Sequence, residues 1–421
     1  MFHRIDLIIS NRKGAVAVLL MCIMSSFIFI TCVLVAASVS AAGKSYADAT
    51  FQMAGKSILS EYDRKLLHEY GLMCFRGTEN EVTDKLTFYA NGSFEGNSPM
   101  FRGLSNQRNS TDLLKLKLQD IDVNLKEYSM INVDLYEKQI KEALKMKLFE
   151  KKAQVKEDDA EKKESRTLRN RIIIDSLPSA GYKGSIFPDL TDAANIPGWE
   201  EICNSLTGRF ARCEYALRIF KHANGGNLDK ETFFSNEIEY ILEGKLNDRA
   251  NYRRVKTKLI AVRFALNAIY LISDKGKMAM ITEEAALTGP AAPAVEAALF
   301  ALWVGAETDN DIDLLENGEN VAMIKKMSNW ALNDLVDIID GISSSGKAVK
   351  PADTSGQSYK DYLRVLLYLE DRESMLLRMM DLTQINMKGT YYRDFLLKEH
   401  YAGFRFSTDI KGDSFSYVEQ Y

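Results

Sequence analysis

The chain has 421 residues, with 54 Lys and Arg against 58 Asp and Glu, 46% hydrophobic and 27% charged residues, and only 7 Pro. That balance excludes a disordered, collagen-like or low-complexity protein and leaves enough apolar side chains for a folded core. It carries no basic excess of the kind that nucleic-acid binding requires, so no DNA or RNA partner is expected.

Residues 1–13 hold Arg4, Arg12 and Lys13 against Asp6, and from Gly14 to Gly43 the chain reads GAVAVLLMCIMSSFIFITCVLVAASVSAAG, thirty residues without a charge or a His. As a helix such a run rises about 45 Å, more than the roughly 30 Å of hydrocarbon in a bilayer. A transmembrane helix over 14–43 is expected, with the membrane as partner. Arg12 and Lys13 abut its start, so the positive-inside tendency places residues 1–13 in the cytoplasm and everything after about Lys44 outside, as a single-pass protein of the cell membrane. Ser40, Ala41 and Ala42 offer small residues for a signal peptidase. The apolar run is nearly double the roughly 7–15 residues of a signal peptide, which favours a retained anchor.

Residues 44–75 read as an amphipathic stalk. Ile58, Tyr62, Leu66 and Tyr70 recur every four positions, and Gly71 is placed to stop the helix in a left-handed conformation. Residues 76–175 read as strands followed by a charged arm. KLTFYANGSFEG, Lys85 to Gly96, has the Asn-Gly signal of a hairpin. Leu114 to Leu125 alternates as a half-buried strand with a bend near Gln119 and Asp120. From Val133 to Arg171 the pattern is helical and then densely charged with both signs, a solvated arm.

Pro178, Pro188 and Pro197 with their neighbouring glycines mark a loop or junction over 176–208. Residues 209–390 then read as a helical array, with helices near 209–222, 229–243, 247–274, 277–288, 293–306, 319–341, 357–370 and 372–387. Ala285 to Ala306 resembles a second span, but Pro290, Pro293 and Glu296 interrupt it, so two buried helices around a turn are expected. In the final segment, 391–421, alternation from Tyr401 onward predicts two strands that pair with those near 85–126. The fold class is therefore α+β, predominantly α-helical: one transmembrane helix continuing into a stalk, a small antiparallel sheet from strands near 85–126 and 401–420, and a helical array from about 209 to 387.

Chemistry is sparse. His3, His68, His222 and His400 are scattered and none has metal-ligand spacing, so no metal or cofactor is expected. Glu239 and Glu243 share a helix face and read as a solvated stripe. GISSSGKA, Gly341 to Ala348, matches a phosphate-loop spacing but has Ala348 in place of the hydroxyl residue and follows a helix, so no nucleotide is expected. Cys74 reads as a small buried hydrophobe, whereas Cys203 and Cys213 are a candidate disulfide in an oxidising exterior. If 203–213 is one helix, those two thiols stand about 15 Å apart, too far to bridge. In DYLRVLLYLEDRESMLLRMMDLTQINM, Asp361 and Arg364, and Arg378 and Asp381, have the i,i+3 spacing of structural ion pairs, and Met375, Met379 and Met380 read as core filler.

RKGAVAVLL, Arg12 to Leu20, resembles the start of minor pseudopilin-like proteins of bacterial tight-adherence pilus systems. ILSEYDRKLLHEYGLMCF, EIEYILEGK, RFALNAIYLISD and the DYLRVLL…LLRMMDLTQINM segment together resemble an uncharacterised bacterial single-pass membrane family associated with those systems, on whose stalk Tyr62, Leu66, Tyr70 and Gly71 fall. The prepilin pattern implies cleavage at Gly14 and a Glu five residues on, where this chain has Leu19. The resemblance therefore implies a stationary component rather than a fibre subunit. The function expected is a non-enzymatic, extracytoplasmic structural or assembly component of a pilus or secretion apparatus, partnered by other membrane-anchored components. The alternatives are a ligand-binding or sensing module with Arg364 or Arg378 reading an anion, and an envelope hydrolase.

Overall fold

The computed structural model describes residues 2–94, 116, 118, 120–145, 166–182, 199–225, 232–335, 338, 348–410 and 412–421. In chain order the helices are α1 (Phe2–Leu59), α2 (Arg64–Tyr70), α3 (Glu79–Phe94), α4 (Val133–Lys145), α5 (Arg171–Asp175), α6 (Trp199–Ile219), α7 (Glu237–Glu243), α8 (Asp248–Ser273), α9 (Lys275–Ala286), α10 (Ala292–Glu316), α11 (Tyr359–Leu369) and α12 (Arg372–Thr390). Three strands form one sheet: β1 (Ile121–Asn124), β2 (Gly403–Ile410) and β3 (Asp413–Gln420). The protein is α+β and mostly helical. It divides into two compact units, one of residues 1–62, 74–128 and 401–421, the other of residues 63–73 and 129–400.

In the first unit the sheet is antiparallel in the order β1-β2-β3, with Val123 opposite Phe406 and Phe406 opposite Tyr417. Gly412, at φ 85°, makes the tight turn between β2 and β3. Ala47, Phe51, Ala54 and Ile58 of α1, spaced by four, three and four, are buried against Val82, Leu86 and Ala90 of α3 and Phe404, Phe406 and Ile410 of β2. Phe51 is the hub, with ring centroids 5.9–6.2 Å from Phe94, Phe406, Phe415 and Tyr417. Tyr46 donates to the Ser93 carbonyl at 2.9 Å and Tyr417 to Asp48 at 2.7 Å, so the polar rim is tied as well.

The hairpin expected at Asn91-Gly92 is not there, because α3 runs through it. Its N-terminus is a capping box: the Thr78 N–H donates to Glu81 Oε2 at 2.9 Å, and the Glu81 N–H to Thr78 Oγ1 at 3.3 Å. Burial of Val82, Leu86 and Ala90 every fourth residue then outweighs the local turn preference. Of the strand expected over 114–125, Ile121–Asn124 is formed, and Leu114, Lys115, Lys117 and Gln119 lie outside the described residues.

The stalk also differs from expectation. α1 stops at Leu59, and Asp63 starts a separate α2 by accepting from the N–H groups of Lys65 and Leu66 at 2.8 and 3.1 Å. Gly71, at φ 68°, ends α2 with its N–H on the Leu67 carbonyl. Tyr62 thus falls in the break, and the four-residue stripe is divided between two helices and two units.

In the second unit α12 is the central helix, with every residue from Met375 to Met387 except Arg378 buried. The three methionines Met375, Met379 and Met380 are in this core. α8 packs on α7 and α10, and α9 packs on α10. Leu271, Ile281, Trp303, Val304, Trp330, Leu335 and Ile338 form a separate apolar cluster.

Several boundaries move. α6 begins at Trp199, inside the expected junction, and residues 183–198 lie outside the described residues. α7 is confined to Glu237–Glu243. α9 and α10 do flank a turn at Gly289–Ala291, but most residues from Ala286 to Leu302 are exposed rather than buried. The helix expected over 319–341 is an irregular strap from Glu319 to Asp334 with one 3-10 turn at Met327–Asn329. Val321 pairs its backbone with Gln357 in both directions at 2.9 Å, which commits it to extended geometry. The charged run 146–165 and the Gly/Ser segment 341–347 lie outside the described residues.

Candidate functional site

α1 carries the first candidate. From Val16 to Val35 its large apolar side chains all stand at least half exposed, Leu19 at 62% and Phe29 at 70%. The helix satisfies the length and hydropathy of a membrane span from Val16 onward, with none of its most apolar window buried inside the protein. Water around such a surface costs about 1.5–3 kcal/mol per large side chain, so a helix apolar on all sides calls for hydrocarbon or a protein partner. The few hydroxyls within it are internally satisfied: Ser25 and Ser26 donate to the Cys22 carbonyl at 2.9 and 2.8 Å, and Thr31 to that of Ile28 at 2.8 Å. Arg12 and Lys13 lie on α1 just ahead of this stretch, and a side chain at Gly14 would meet nothing within 4 Å.

The ion pairs expected on α11 and α12 are only half realised. Asp361 and Arg364 are in contact, but Arg364 is 36% exposed and also reaches Glu214 at 2.7 Å. Burial works to raise the Asp361 carboxyl, yet bonds from Ser358 and Arg364 hold it below its ordinary value. Arg378 and Asp381 do not pair. Arg378 donates to the Ile241 carbonyl at 2.7 Å and to Glu370 at 3.1 Å, lying over Gly244, where a Cβ would come within 2.7 Å of its Nε. Asp381 instead accepts from the Ser179 N–H at 3.0 Å and the Tyr240 hydroxyl at 2.9 Å, and burial pushes it up to about 6. The helix spacing permits contact; neighbouring segments offer each group better partners.

Glu239 and Glu243 are not a solvated stripe, because α7 is almost wholly buried. Glu239 accepts from the Ala223 N–H at 3.0 Å and the Tyr359 hydroxyl at 2.8 Å, and burial pushes its carboxyl up to about 7. Glu243 meets Lys258 at 2.7 Å. Among the described residues no group of three or more His, Cys, Asp or Glu is placed to hold a metal ion. His400 is buried with Nδ1 2.9 Å from the Leu396 carbonyl, whereas His68 is exposed beside Glu69.

The candidate Cys203–Cys213 bridge is not formed. α6 runs unbroken through both positions, which separates them by about 15 Å along its axis. Cys213 is a free, buried thiol whose pKa burial pushes up to about 11, which makes it a poor nucleophile. Cys74 is likewise buried.

Among the described residues, one extended buried polar cluster was not singled out from the sequence. Arg263, fully buried, donates through Nε and Nη2 to Asp311 at 3.1 and 2.7 Å, through Nη2 to Asn267 at 2.8 Å, and through Nη1 to Tyr362 at 3.0 Å and to the carbonyls of Ala322 and Met323. Lys325 spans Glu307 and Asp311 at 2.7 Å each, and Glu307 also accepts from the N–H groups of Ala331 and Leu332 at 2.9 Å. Two cations thus face two carboxylates, and the cluster fastens the strap to α8 and α10. The available signal was the i,i+4 spacing of Arg263 and Asn267 on the helix face that also carries Val255, Leu259 and Leu271.

A cavity of about 490 Å³ lies in the first unit, where α1 passes from its bare stretch to its packed one, lined by Ala36, Val39, Ser40, Lys44, Asp413 and Phe415 among others.

The model of a family of unknown function, DUF5702, matches residues 133–412, more than half of the chain. No curated protein and no solved structure matches it.

Proposed function

Because the chain belongs to that family of unknown function, and membership brings no activity with it, we propose a function from the anchor and its surroundings. The protein is a single-pass component of the cell membrane, with residues 1–13 in the cytoplasm and both compact units outside. It acts without catalysis as a structural or assembly part of a pilus or secretion-type apparatus of the tight-adherence kind. The observation that carries this reading is α1: apolar on every side from Val16 to Val35, then packed on one side from Ala47 to Ile58. A helix built this way couples lateral contacts in the bilayer to a domain outside it. Arg364 and Arg378 already hold carboxylates, which supports structural roles for them over reading an anion.

The test is site-specific photocrosslinking in cells that carry the apparatus, with a benzophenone side chain at Leu19 or Phe29, both exposed on α1. Discrete adducts with other membrane-anchored proteins are expected. A consistently monomeric pattern, or a chain whose outer units resist protease added to spheroplasts, refutes the reading.

A further inference from the structure

The cavity beside α1 opens where the packed stretch of the helix gives way to its bare one, and Ala47, Ile410 and Phe415 belong both to the core and to its lining. One wall is the α1 face of Ala36, Val39, Ser40, Gly43 and Ala47, and another is Leu116, Ile410 and Phe415. At about 490 Å³ it falls within the roughly 300–1,000 Å³ of sites that take small organic ligands. Its lining holds two opposite charges. Lys44 Nζ and Asp413 Oδ1 are 2.7 Å apart, with 53% and 38% of their side chains exposed. Lys44 is also the first charged residue after Gly14.

Two features point to one class of ligand. The apolar floor is continuous with the exposed face of the candidate span, since Ala36 and Val39 belong to both. Where that span crosses a bilayer, the cavity mouth lies at the depth of the headgroups. The rim, moreover, offers a cation and an anion side by side, the complement of a headgroup that itself carries a phosphate and an ammonium. A purely anionic headgroup meets Asp413 as a like charge.

We propose that this cavity binds one zwitterionic phospholipid, its phosphate at Lys44, its ammonium at Asp413, and an acyl chain along Val39, Ala47, Leu116, Ile410 and Phe415. The proposal rests on the membrane reading of α1. It adds that the first unit is seated on the outer surface by a specific lipid, with the Lys44–Asp413 pair opening to receive the headgroup.

The experiment uses the full chain, extracted in mild detergent and offered dioleoylphosphatidylethanolamine or dioleoylphosphatidylglycerol, with bound lipid read by native mass spectrometry. Retention of one phosphatidylethanolamine in preference to phosphatidylglycerol is expected. Ser40→Trp, at an exposed helix position, fills the mouth and removes that adduct. Asp413→Lys reverses the preference by about tenfold, the effect of one charge-assisted contact. Equal retention of the two lipids, or retention unchanged in Ser40→Trp, overturns the proposal while a carbonate-resistant membrane pellet leaves the anchor standing. A chain recovered in the soluble fraction overturns both.

Discussion

Replacing Arg263 by Met tests whether the buried polar cluster is what holds the irregular strap in place. Methionine retains much of the length and apolar stem of the side chain while removing the guanidinium. The change leaves the carbonyls of Ala322 and Met323 and the Tyr362 hydroxyl without this donor, and leaves Asp311 with Lys325 as its remaining cation. Removing one member of a buried ion pair costs about 3–5 kcal/mol, because the uncompensated charge stays buried. At roughly 2–4 °C per kcal/mol for a large domain, the melting temperature of the second unit is expected to fall by about 6–20 °C. Trp303 and Trp330 lie in the adjoining apolar cluster, with Lys325 Nζ 6.0 Å from the Trp330 ring centre, so indole fluorescence in a Trp199→Phe background follows this region. Arg263→Met combined with Asp311→Leu is expected to recover part of the loss, since the second change leaves one cation, Lys325, facing one carboxylate, Glu307. A melting shift under about 2 °C for Arg263→Met, or additive costs in the double variant, refutes the argument.

The second unit should lose stability as pH rises through neutrality. Burial raises Asp381 to about 6 and Glu239 to about 7, so the folded state holds protons that the unfolded chain releases near pH 4. Their contribution is complete below about pH 4 and lost as pH climbs through 6 and 7, on the order of 3 kcal/mol per group; chemical melts from pH 5 to 8 measure it, and Glu239→Gln should flatten the slope. Gly356→Ala places a Cβ 2.3 Å from the Val321 carbonyl carbon, so the strap or its partner must shift. A loss of about 1–3 kcal/mol by denaturant melt is expected, and an unchanged midpoint contradicts the packing. Cys213 should react with a thiol reagent only after unfolding, and the oxidised and reduced chains should show no mass difference attributable to a 203–213 bridge; rapid native labelling argues against its burial.

Features carried by local pattern were legible without a structure. The uncharged run from Gly14 to Gly43 specifies an apolar helix on its own, because it holds no Pro and no charge, and the hydroxyls of Ser25, Ser26 and Thr31 bond back to the helix's own carbonyls. Gly71 as a helix stop, the alternation from Tyr401 that becomes β2 and β3, and the methionine core of α12 were readable for the same reason: each depends on residues only a few positions apart. The capping box at Thr78 and Glu81 was also present, and it was masked by the stronger-looking Asn91-Gly92 turn.

Partner choice was a different matter. Arg378 and Asp381 have the spacing of a pair, yet Asp381 accepts from Ser179 and Tyr240, and Arg378 turns to Glu370 and the Ile241 carbonyl. The strap over 319–334 has helical periodicity but is held extended by Gln357 and by Arg263, residues tens of positions away. Glu239 looked solvated until α7 proved to be enclosed. In each case burial by distant chain removes water as the competing partner, and the side chain then takes whichever donor or acceptor the packed neighbours present. Spacing along one helix records which contacts are within reach, and the tertiary fold selects among them.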